Sequence, residues 1–362
     1  MTDSAVHRSL VLSVDAMGGD LGPGAVVVAL DKALKRAPEL RFLLHGPVEK
    51  LRPLIARRPD LEAAATLIHA EGVVAMSDKP SAALRNARGT SMWSTLEAVA
   101  QGRAQVAVSC GNTGALMVMS MVALKKAPGV ARPAIAVFWP SRSENGYNIM
   151  LDAGGDLRAE PETLAQYAVM GSEYARVGLS VAIPRVGLLN VGAEDTKGRP
   201  ELHQARDEIT GAAMRGGYQW AGFVEGGDLC GDKADVIVTD GFTGNVALKT
   251  AEGTAKFIGD QLRSAFKHTP FSRLASFFAM GALGRLKRRI DPRRVNGGVL
   301  LGLSGAVVKS HGGADSTGIA AAIDLAARMA RTGFADRVAQ RVASMEHAPP
   351  KLEDHRQETA GK

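Results

Sequence analysis

The stretch LVLSVDAMGGDLGPGAVVVALDKALKRA, residues 10–37, shows the unit from which the whole chain is built. It begins with a short apolar run, Leu10–Val14, which is typical of a buried β-strand. A loop rich in Gly and Asp follows, and Gly24–Ala37 then carries apolar residues at helical spacing. The stretch therefore predicts a strand, a glycine-rich turn and a helix in that order.

The same unit recurs along the chain. Further strands are predicted at Phe42–His45, Thr66–His69, Gln105–Ser109, Ala134–Phe138, Asn148–Leu151, Val186–Asn190, Val236–Thr239, Val299–Leu303 and Ala306–Lys309. Further helices are predicted at Ser81–Gly102, Thr113–Lys126, Pro161–Arg176, Arg199–Met214, Gly244–Phe266 and Ser316–Arg331. This alternation predicts an α/β fold with three α/β/α layers, Rossmann-like, around a mostly parallel sheet.

Composition narrows the class of protein. The 362 residues contain no repeat and no linker, so we expect one compound domain over residues 1–345 and a disordered tail over 346–362. The net charge of +7 suits acidic partners, although it can equally serve only to keep the protein soluble. Only 5% of residues are aromatic, and no nucleic-acid partner is predicted. Two cysteines supply no paired-cysteine metal motif, so neither a metal nor a cofactor is expected. With no signal peptide and no long apolar run, a cytoplasmic location is predicted.

Four predicted strands end in loops built from Gly, Asp, Asn and Thr, at residues 15–20, 110–114, 152–156 and 240–245. In an open parallel sheet such loops gather at the carboxyl edge, where ligands bind. Glycine backbone and helix N-termini offer N–H groups to phosphate, although the same residues also make tight turns and helix caps. No Rossmann, Walker or G-x-S-x-G sequence is present, which gives no support to a dinucleotide, a nucleoside triphosphate or a serine nucleophile.

The predicted substrate and phosphate positions belong to these loops, with one lysine and one histidine added. They are Asp15, Gly18, Gly19, Asp20, Gly111, Thr113, Gly114, Asp152, Gly154, Asp240, Gly241, Thr243, Gly244, Lys249 and His311. Two of them have a simpler alternative: Lys249 as a surface residue, and His311 as a partner of backbone in its own loop. Cys110 lies in one loop as well, and it is interpreted as a buried packing residue rather than a nucleophile.

Five long signatures in the same order resemble those of the phosphate acyltransferase family. They are DAMGGD at 15–20, SCGNTGALM at 109–117, LLNVGAEDTKG at 188–198, VIVTDGFTGNVALKTAEG at 236–253 and GGVLLGLSGAVVKSHGGAD at 297–315. The resemblance implies the fold of the isocitrate and isopropylmalate dehydrogenase group, shared with phosphotransacetylases, and a homodimer. It also implies that inorganic phosphate and an acyl-acyl-carrier protein react to give acyl phosphate, which a downstream membrane acyltransferase consumes.

For this reaction we predict direct attack of phosphate on the thioester, with no acyl-enzyme. Backbone N–H groups of the glycine loops would stabilise the oxyanion. Asn112 and Asn245 are predicted to donate side-chain hydrogen bonds, and Lys197 to neutralise phosphate. The nearest alternative is a phosphotransacetylase acting on acyl-coenzyme A; a non-catalytic scaffold of lipid synthesis is the alternative of another class.

A basic and apolar segment is predicted to protrude as an amphipathic helical region at about residues 255–294. Its pattern is typical of a helix lying on anionic lipid, and it also suits an acidic carrier protein. A dimer-interface or core helix is the simpler alternative. The predicted membrane or carrier contacts are Phe271, Leu274, Phe277, Phe278, Arg285, Arg288 and Arg289. Peripheral attachment to the inner face of the membrane is therefore expected.

Overall fold

The computed structural model describes residues 10–267, 281, 284 and 298–346. Its strands form one sheet of eleven members. They are β1 (Leu10–Asp15), β2 (Leu40–Gly46), β3 (Ala65–His69), β4 (Val106–Ser109), β5 (Ala134–Pro140), β6 (Tyr147–Leu151), β7 (Arg185–Leu189), β8 (Gln219–Val224), β9 (Val236–Val238), β10 (Gly298–Leu301) and β11 (Ala306–Lys309).

Helices cover both faces of this sheet. In the described ranges they are α1 (Gly22–Arg36), α2 (Val48–Ile55), α3 (Pro59–Ala64), α4 (Pro80–Arg85), α5 (Ser91–Ala100), α6 (Thr113–Ala123), α7 (Pro161–Gly178), α8 (Pro200–Gly216), α9 (Gly241–Lys267), α10 (Ser316–Thr332) and α11 (Phe334–Glu346). A short 3-10 helix spans Gly226–Cys230. The α/β/α fold with a mostly parallel sheet is thereby confirmed.

The sheet consists of two parallel halves that run in opposite directions. Its strand order is β3-β2-β1-β4-β11-β10-β5-β6-β9-β7-β8. In this spatial order, the strands β3-β2-β1-β4-β11 pair parallel with their neighbours, and so do the strands β6-β9-β7-β8. Between the halves, β10 and β5 make the antiparallel pairs. The carboxyl ends of the two halves therefore point to opposite edges of the sheet. The expectation that all four glycine loops share one edge is wrong.

The buried residues lie on the two faces of the sheet. The larger cluster includes Val14, Val108 and Val308 and packs against residues of α1, α7 and α10. The alternate residues Ala107 and Val307 belong to a second cluster, together with residues of α5 and α6. Because successive side chains of a strand point to opposite faces, each of these strands packs against one set of helices on one face and another set on the other.

Several elements differ from the sequence-based prediction. The helix expected at Ser81–Gly102 is two helices, α4 and α5, because the chain turns through Gly89, whose φ is +82°. The prediction also lacked α2, α3, α11 and β8. Most of the predicted protruding segment and nearly all of the predicted tail lie outside the described residues.

Candidate functional site

Three loops of the first half form what we call the first loop cluster, residues 15–20, 110–114 and 310–315. They follow β1, β4 and β11, which are adjacent and parallel, so their carboxyl ends meet. The N–H of Asp20 donates to the carbonyl of Gly312 at 2.9 Å. His311 accepts the N–H of Gly313 at its Nδ1 over 3.1 Å, as its simpler interpretation predicts.

The chain approaches itself closely in this cluster. A Cβ on Gly18 would lie 2.6 Å from both the Asp15 carboxylate and the Gly111 nitrogen. Asp15 is buried, and it accepts the Ser109 hydroxyl at 2.7 Å and the Met17 N–H at 3.1 Å. The loop can therefore close over the strand ends only with glycine at position 18.

Asn112 connects the first loop cluster to the segment before α4. Its Oδ1 accepts the N–H of Ala115 at 3.0 Å and so caps α6. Its Nδ2 donates to the carbonyls of Ala75, Met76 and Asp78 at 3.3, 3.0 and 2.9 Å. A direct contact with substrate stays a prediction for Asn112, because the structure gives this amide a role in holding the loop.

Three further loops form the second loop cluster, residues 152–156, 190–198 and 240–245. They follow β6, β7 and β9, which are neighbours in the second half of the sheet. The buried Asp152 carboxylate accepts N–H groups from four residues at 2.5–3.1 Å: Ile135, Gly154, Gly155 and Asp156. Burial raises its pKa, and these four donors oppose the rise. Asp152 thus organises its own loop.

The second loop cluster carries several cations. Lys197 is exposed, and it forms no ion pair with any other residue that the structure describes. Arg199 pairs with Asp240 at 2.9 Å and ties two of the loops together. Lys249 pairs with Glu252 at 2.7 Å on the exposed side of α9, in agreement with its surface interpretation. Of these three cations, Lys197 alone has no carboxylate partner among the described residues.

Helices α6 and α9 connect the two loop clusters on one face of the sheet. Met117 of α6, Ala153 and Leu248 of α9 belong to the same apolar cluster. A Cβ on Gly155 would meet the Met117 side chain at 2.7 Å, and one on Gly154 would lie 3.6 Å from Asn245. The exposed Asn245 therefore lies beside the 152–156 loop, at the start of α9.

The predicted positions divide between the two clusters according to the half of the sheet. The first cluster holds Asp15, Gly18, Gly19, Asp20, Gly111, Asn112, Thr113, Gly114 and His311. The second holds Asp152, Gly154, Lys197, Asp240, Gly241, Thr243, Gly244 and Asn245, with Lys249 two turns into α9. The predicted contacts Phe271, Leu274, Phe277, Phe278, Arg285, Arg288 and Arg289 lie outside the described residues.

Sequence reasoning assigned no role to Lys309, Ser109 or Arg199. Lys309 is the last residue of β11, and its side chain is buried. The signal was present, since a charged residue completes the otherwise apolar run AVVK. Ser109 and Arg199 gave no comparable signal, because their partners Asp15 and Asp240 are distant in sequence.

Over residues 10–267 and 298–346, no three His, Cys, Asp or Glu side chains are grouped so that they could hold a metal ion. In those same ranges no helix has both the length and the apolar character that crossing a bilayer requires.

Comparison with known proteins relates most of the chain to one family. Residues 10–337 match the family described as "Fatty acid synthesis protein". The chain is 59% identical over 335 residues to "Phosphate acyltransferase" of Cereibacter sphaeroides (strain ATCC 17029 / ATH 2.4.9), covering 92% of this chain and 90% of that protein. It is 60% identical over 338 residues to "Phosphate acyltransferase" of Rhodobacter capsulatus, covering 93% and 84%.

Solved structures resemble the fold. A phosphotransacetylase from Streptococcus pyogenes superposes with a TM-score of 0.60 at 16% identity, covering 90% of this chain and 95% of that one. The EutD phosphotransacetylase from Staphylococcus aureus gives 0.58 at 15% identity, with the same coverage. At such identities the similarity is one of architecture.

Proposed function

Since the chain belongs to the phosphate acyltransferase family and is therefore an acyl-transferring enzyme, we propose that it forms acyl phosphate from acyl-acyl-carrier protein and inorganic phosphate. The observation that carries this proposal is the 59–60% identity to phosphate acyltransferases over more than nine-tenths of the chain. The product would enter phospholipid synthesis through a membrane acyltransferase.

The reaction needs two anionic reactants to meet. An oxygen of phosphate attacks the thioester carbon, a C–O bond forms and the C–S bond breaks. The carrier leaves as a thiolate, which takes up the proton that hydrogen phosphate releases. Two demands follow: cations or N–H donors for the phosphate, and donors for the oxyanion on the carbonyl. The two loop clusters and the unpaired Lys197 are suited to these demands.

The surroundings of Cys110 support direct attack rather than an acyl-enzyme. Its thiol is buried, and burial raises its pKa to about 11. A nucleophilic cysteine needs the thiolate, which a raised pKa disfavours near neutral pH. Lys309 lowers this pKa, but its effect is smaller than that of burial. Cys110 is therefore better suited to packing beneath the first loop cluster.

Within this mechanism we assign the phosphate to Lys197 and Asn245. Both are exposed in the second loop cluster, and Gly154 lets the backbone of the 152–156 loop approach Asn245. The remaining predicted loop positions would supply backbone N–H groups or shape the turns. Asn112 would act from the first loop cluster by fixing the start of α6 and the segment before α4.

We further propose a homodimer that attaches peripherally to anionic membrane through the segment at about 255–294. The described part of α9 supports this proposal, because Phe257, Ile258 and Leu262 are exposed apolar residues. Changing Phe277 and Phe278 to Ser should release the protein from vesicles that contain anionic lipid while acyl transfer continues. Unchanged vesicle binding would argue against the attachment.

One assay tests the proposed reaction. Purified protein and phosphate are given either long-chain acyl-carrier protein or the matching acyl-coenzyme A, and acyl phosphate is trapped with hydroxylamine. We expect formation of acyl phosphate from the carrier thioester at the higher kcat/KM. A preference for the coenzyme A thioester would favour a phosphotransacetylase, and no product from either would refute acyl transfer to phosphate.

A further inference from the structure

Lys309 is a buried lysine at the carboxyl end of β11, where the first loop cluster begins. Its register partner on β4 is Ser109, and on β1 Asp15 follows Val14, which is the register partner of Val108. Lys309, Ser109 and Asp15 therefore form one row across three adjacent strands. All three side chains point to the face that carries α5 and α6, because Ala107 and Val307, two residues earlier, pack there. This row of polar side chains thus borders the apolar cluster that contains residues of α5 and α6.

The ammonium group of Lys309 has only carbonyl partners among the described residues. Nζ donates to the carbonyl of Ser310 and, at 3.5 Å, to that of Cys110. It has no carboxylate within 4.0 Å in the described ranges. Its third N–H therefore has no acceptor among the residues that the structure describes, although Lys309 as a residue is only 7% exposed.

The nearest acidic group does not fill this gap. Asp15 already accepts hydrogen bonds from Ser109 and Met17, and it acts on Lys309 only through space, as does Asp20. Burial outweighs these charges and lowers the pKa of Lys309 to about 8. A buried cation without a contacting anion is unfavourable unless a ligand supplies the missing charge.

The position of Lys309 favours an oxyanion as that ligand. The apolar cluster beneath the row contains Met117 of α6 and Leu248 of α9, the two helices that begin at the first and second loop clusters. The backbone above it is glycine-rich: Gly18 lies in close contact with Gly111, and Gly312 lies near the Asp20 carboxylate and the Cys110 carbonyl. Such backbone offers N–H donors beside the fixed positive charge.

We propose that Lys309 is the cation of an oxyanion site at the first loop cluster, separate from Lys197 in the second. The inference rests on the proposed function, in which two phosphorus-bearing groups reach the enzyme. One is inorganic phosphate, and the other is the phosphodiester of the pantetheine arm of the carrier. Both offer the same oxygen chemistry to an ammonium group.

This site should depend on pH. Below pH 8 Lys309 is protonated and attracts the oxyanion, and above it the charge and the attraction are lost. The titratable groups around Lys309 are Asp15, Asp20 and Cys110, and burial keeps the Cys110 thiol neutral below about pH 11 because it raises the pKa of that thiol. A bound oxyanion would itself raise the pKa of Lys309, which moves the loss to somewhat higher pH.

Calorimetric titration of the full chain with inorganic phosphate, and separately with free 4′-phosphopantetheine, tests the proposal. Lys309→Met removes the charge at similar volume, and Lys309→Gln keeps a donor for the two carbonyls should the first variant fold poorly. Lys126→Met is the matched control, because the Lys126 ammonium also donates to a carbonyl, that of Ala131 at 2.9 Å. Lys126 lies in the connection between α6 and β5 and not in the first loop cluster.

For one of the two ligands we expect the Lys309 variants to weaken binding by about 10-fold or more at pH 7. The ratio to wild type should fall towards one by about pH 10, while Lys126→Met changes neither ligand. The ligand that responds identifies the source of the oxyanion. Unchanged affinity for both ligands would overturn the role of Lys309, whereas failure of wild type to form acyl phosphate would refute the proposed function instead.

Discussion

At the scale of single residues, Lys197 should decide how tightly phosphate binds. A charged hydrogen bond to phosphate contributes about 1.5–3 kcal/mol, so Lys197→Ala should raise the KM for phosphate by roughly 10- to 150-fold. The KM for acyl-carrier protein should change much less. Steady-state kinetics at varied phosphate checks this, with Lys249→Ala as control because Lys249 is paired with Glu252. Normal phosphate kinetics in Lys197→Ala would remove Lys197 from the site.

His45 should give the protein a dependence of stability on pH. It is fully buried between the Ser13 and Ser94 hydroxyls, at 2.8 and 2.7 Å, and burial lowers its pKa to about 4. Since the unfolded pKa is near 6.5, the unfolded chain binds more protons between these values. Stability is therefore complete above about pH 6.5, and up to about 3 kcal/mol is lost as pH falls towards 4.

Urea unfolding of wild type and His45→Gln from pH 7 to pH 4 isolates this effect. The variant should be less stable at pH 7 but should lose less stability on acidification. Parallel losses in the two proteins would show that other groups cause the acid sensitivity.

At this scale the sequence predicted where polar residues lie but not what they contact. Asn112 and Asp152 were recognised by their place after a strand, yet their hydrogen-bond partners at Met76 and Ile135 are distant in sequence. Lys309 was visible as a charge in an apolar run, but its contact with the Cys110 carbonyl joins residues that are distant in sequence. Tertiary contacts of this kind leave no local pattern.

At the scale of elements, Asn112 should couple α6 to the segment before α4. Asn112→Ala removes both the cap and the three donations to carbonyls, so we expect a loss of about 1–3 kcal/mol in unfolding free energy. Asn112→Asp keeps a capping oxygen but not the donors. Both variants should therefore speed backbone hydrogen exchange in residues 75–90, whereas the larger loss of stability should fall on the Ala variant.

Hydrogen exchange followed by mass spectrometry measures this coupling. Asn245→Ala serves as control, because Asn245 lies in the other cluster and should leave residues 75–90 unchanged. Slow exchange of this segment in both Asn112 variants would show that other contacts, such as Pro80 against Gly114, are sufficient to hold it.

Elements with strong periodic patterns were predicted well, and elements that depend on context were not. Strands β1, β4 and β6 were identified because continuous apolar runs fit a sheet buried on both faces. The sequence QWAGFV of β8 has a mixed pattern with Gly222 at φ +92°, and it lies at the edge of the sheet. The division between α4 and α5 depends on the turn through Gly89.

At the scale of the whole molecule, the opposite direction of the two half-sheets determines the layout of the site. Sequence alternation predicted parallel strands, but the direction of each half depends on how β10, β5 and β6 pair. The loops consequently form two clusters, and α6 and α9 connect them over a shared apolar core. In our account one cluster holds phosphate through Lys197, and the other provides the second oxyanion site at Lys309.

Isotope exchange distinguishes direct transfer of the acyl group from thioester to phosphate from transfer through an acyl-enzyme. The enzyme is incubated with acyl-carrier protein and isotopically labelled free carrier, with and without phosphate, and the acyl group on the labelled carrier is measured. Direct attack predicts exchange only when phosphate is present, because acyl phosphate is then the sole intermediate. Exchange at a comparable rate without phosphate would reveal an acyl-enzyme and contradict the account.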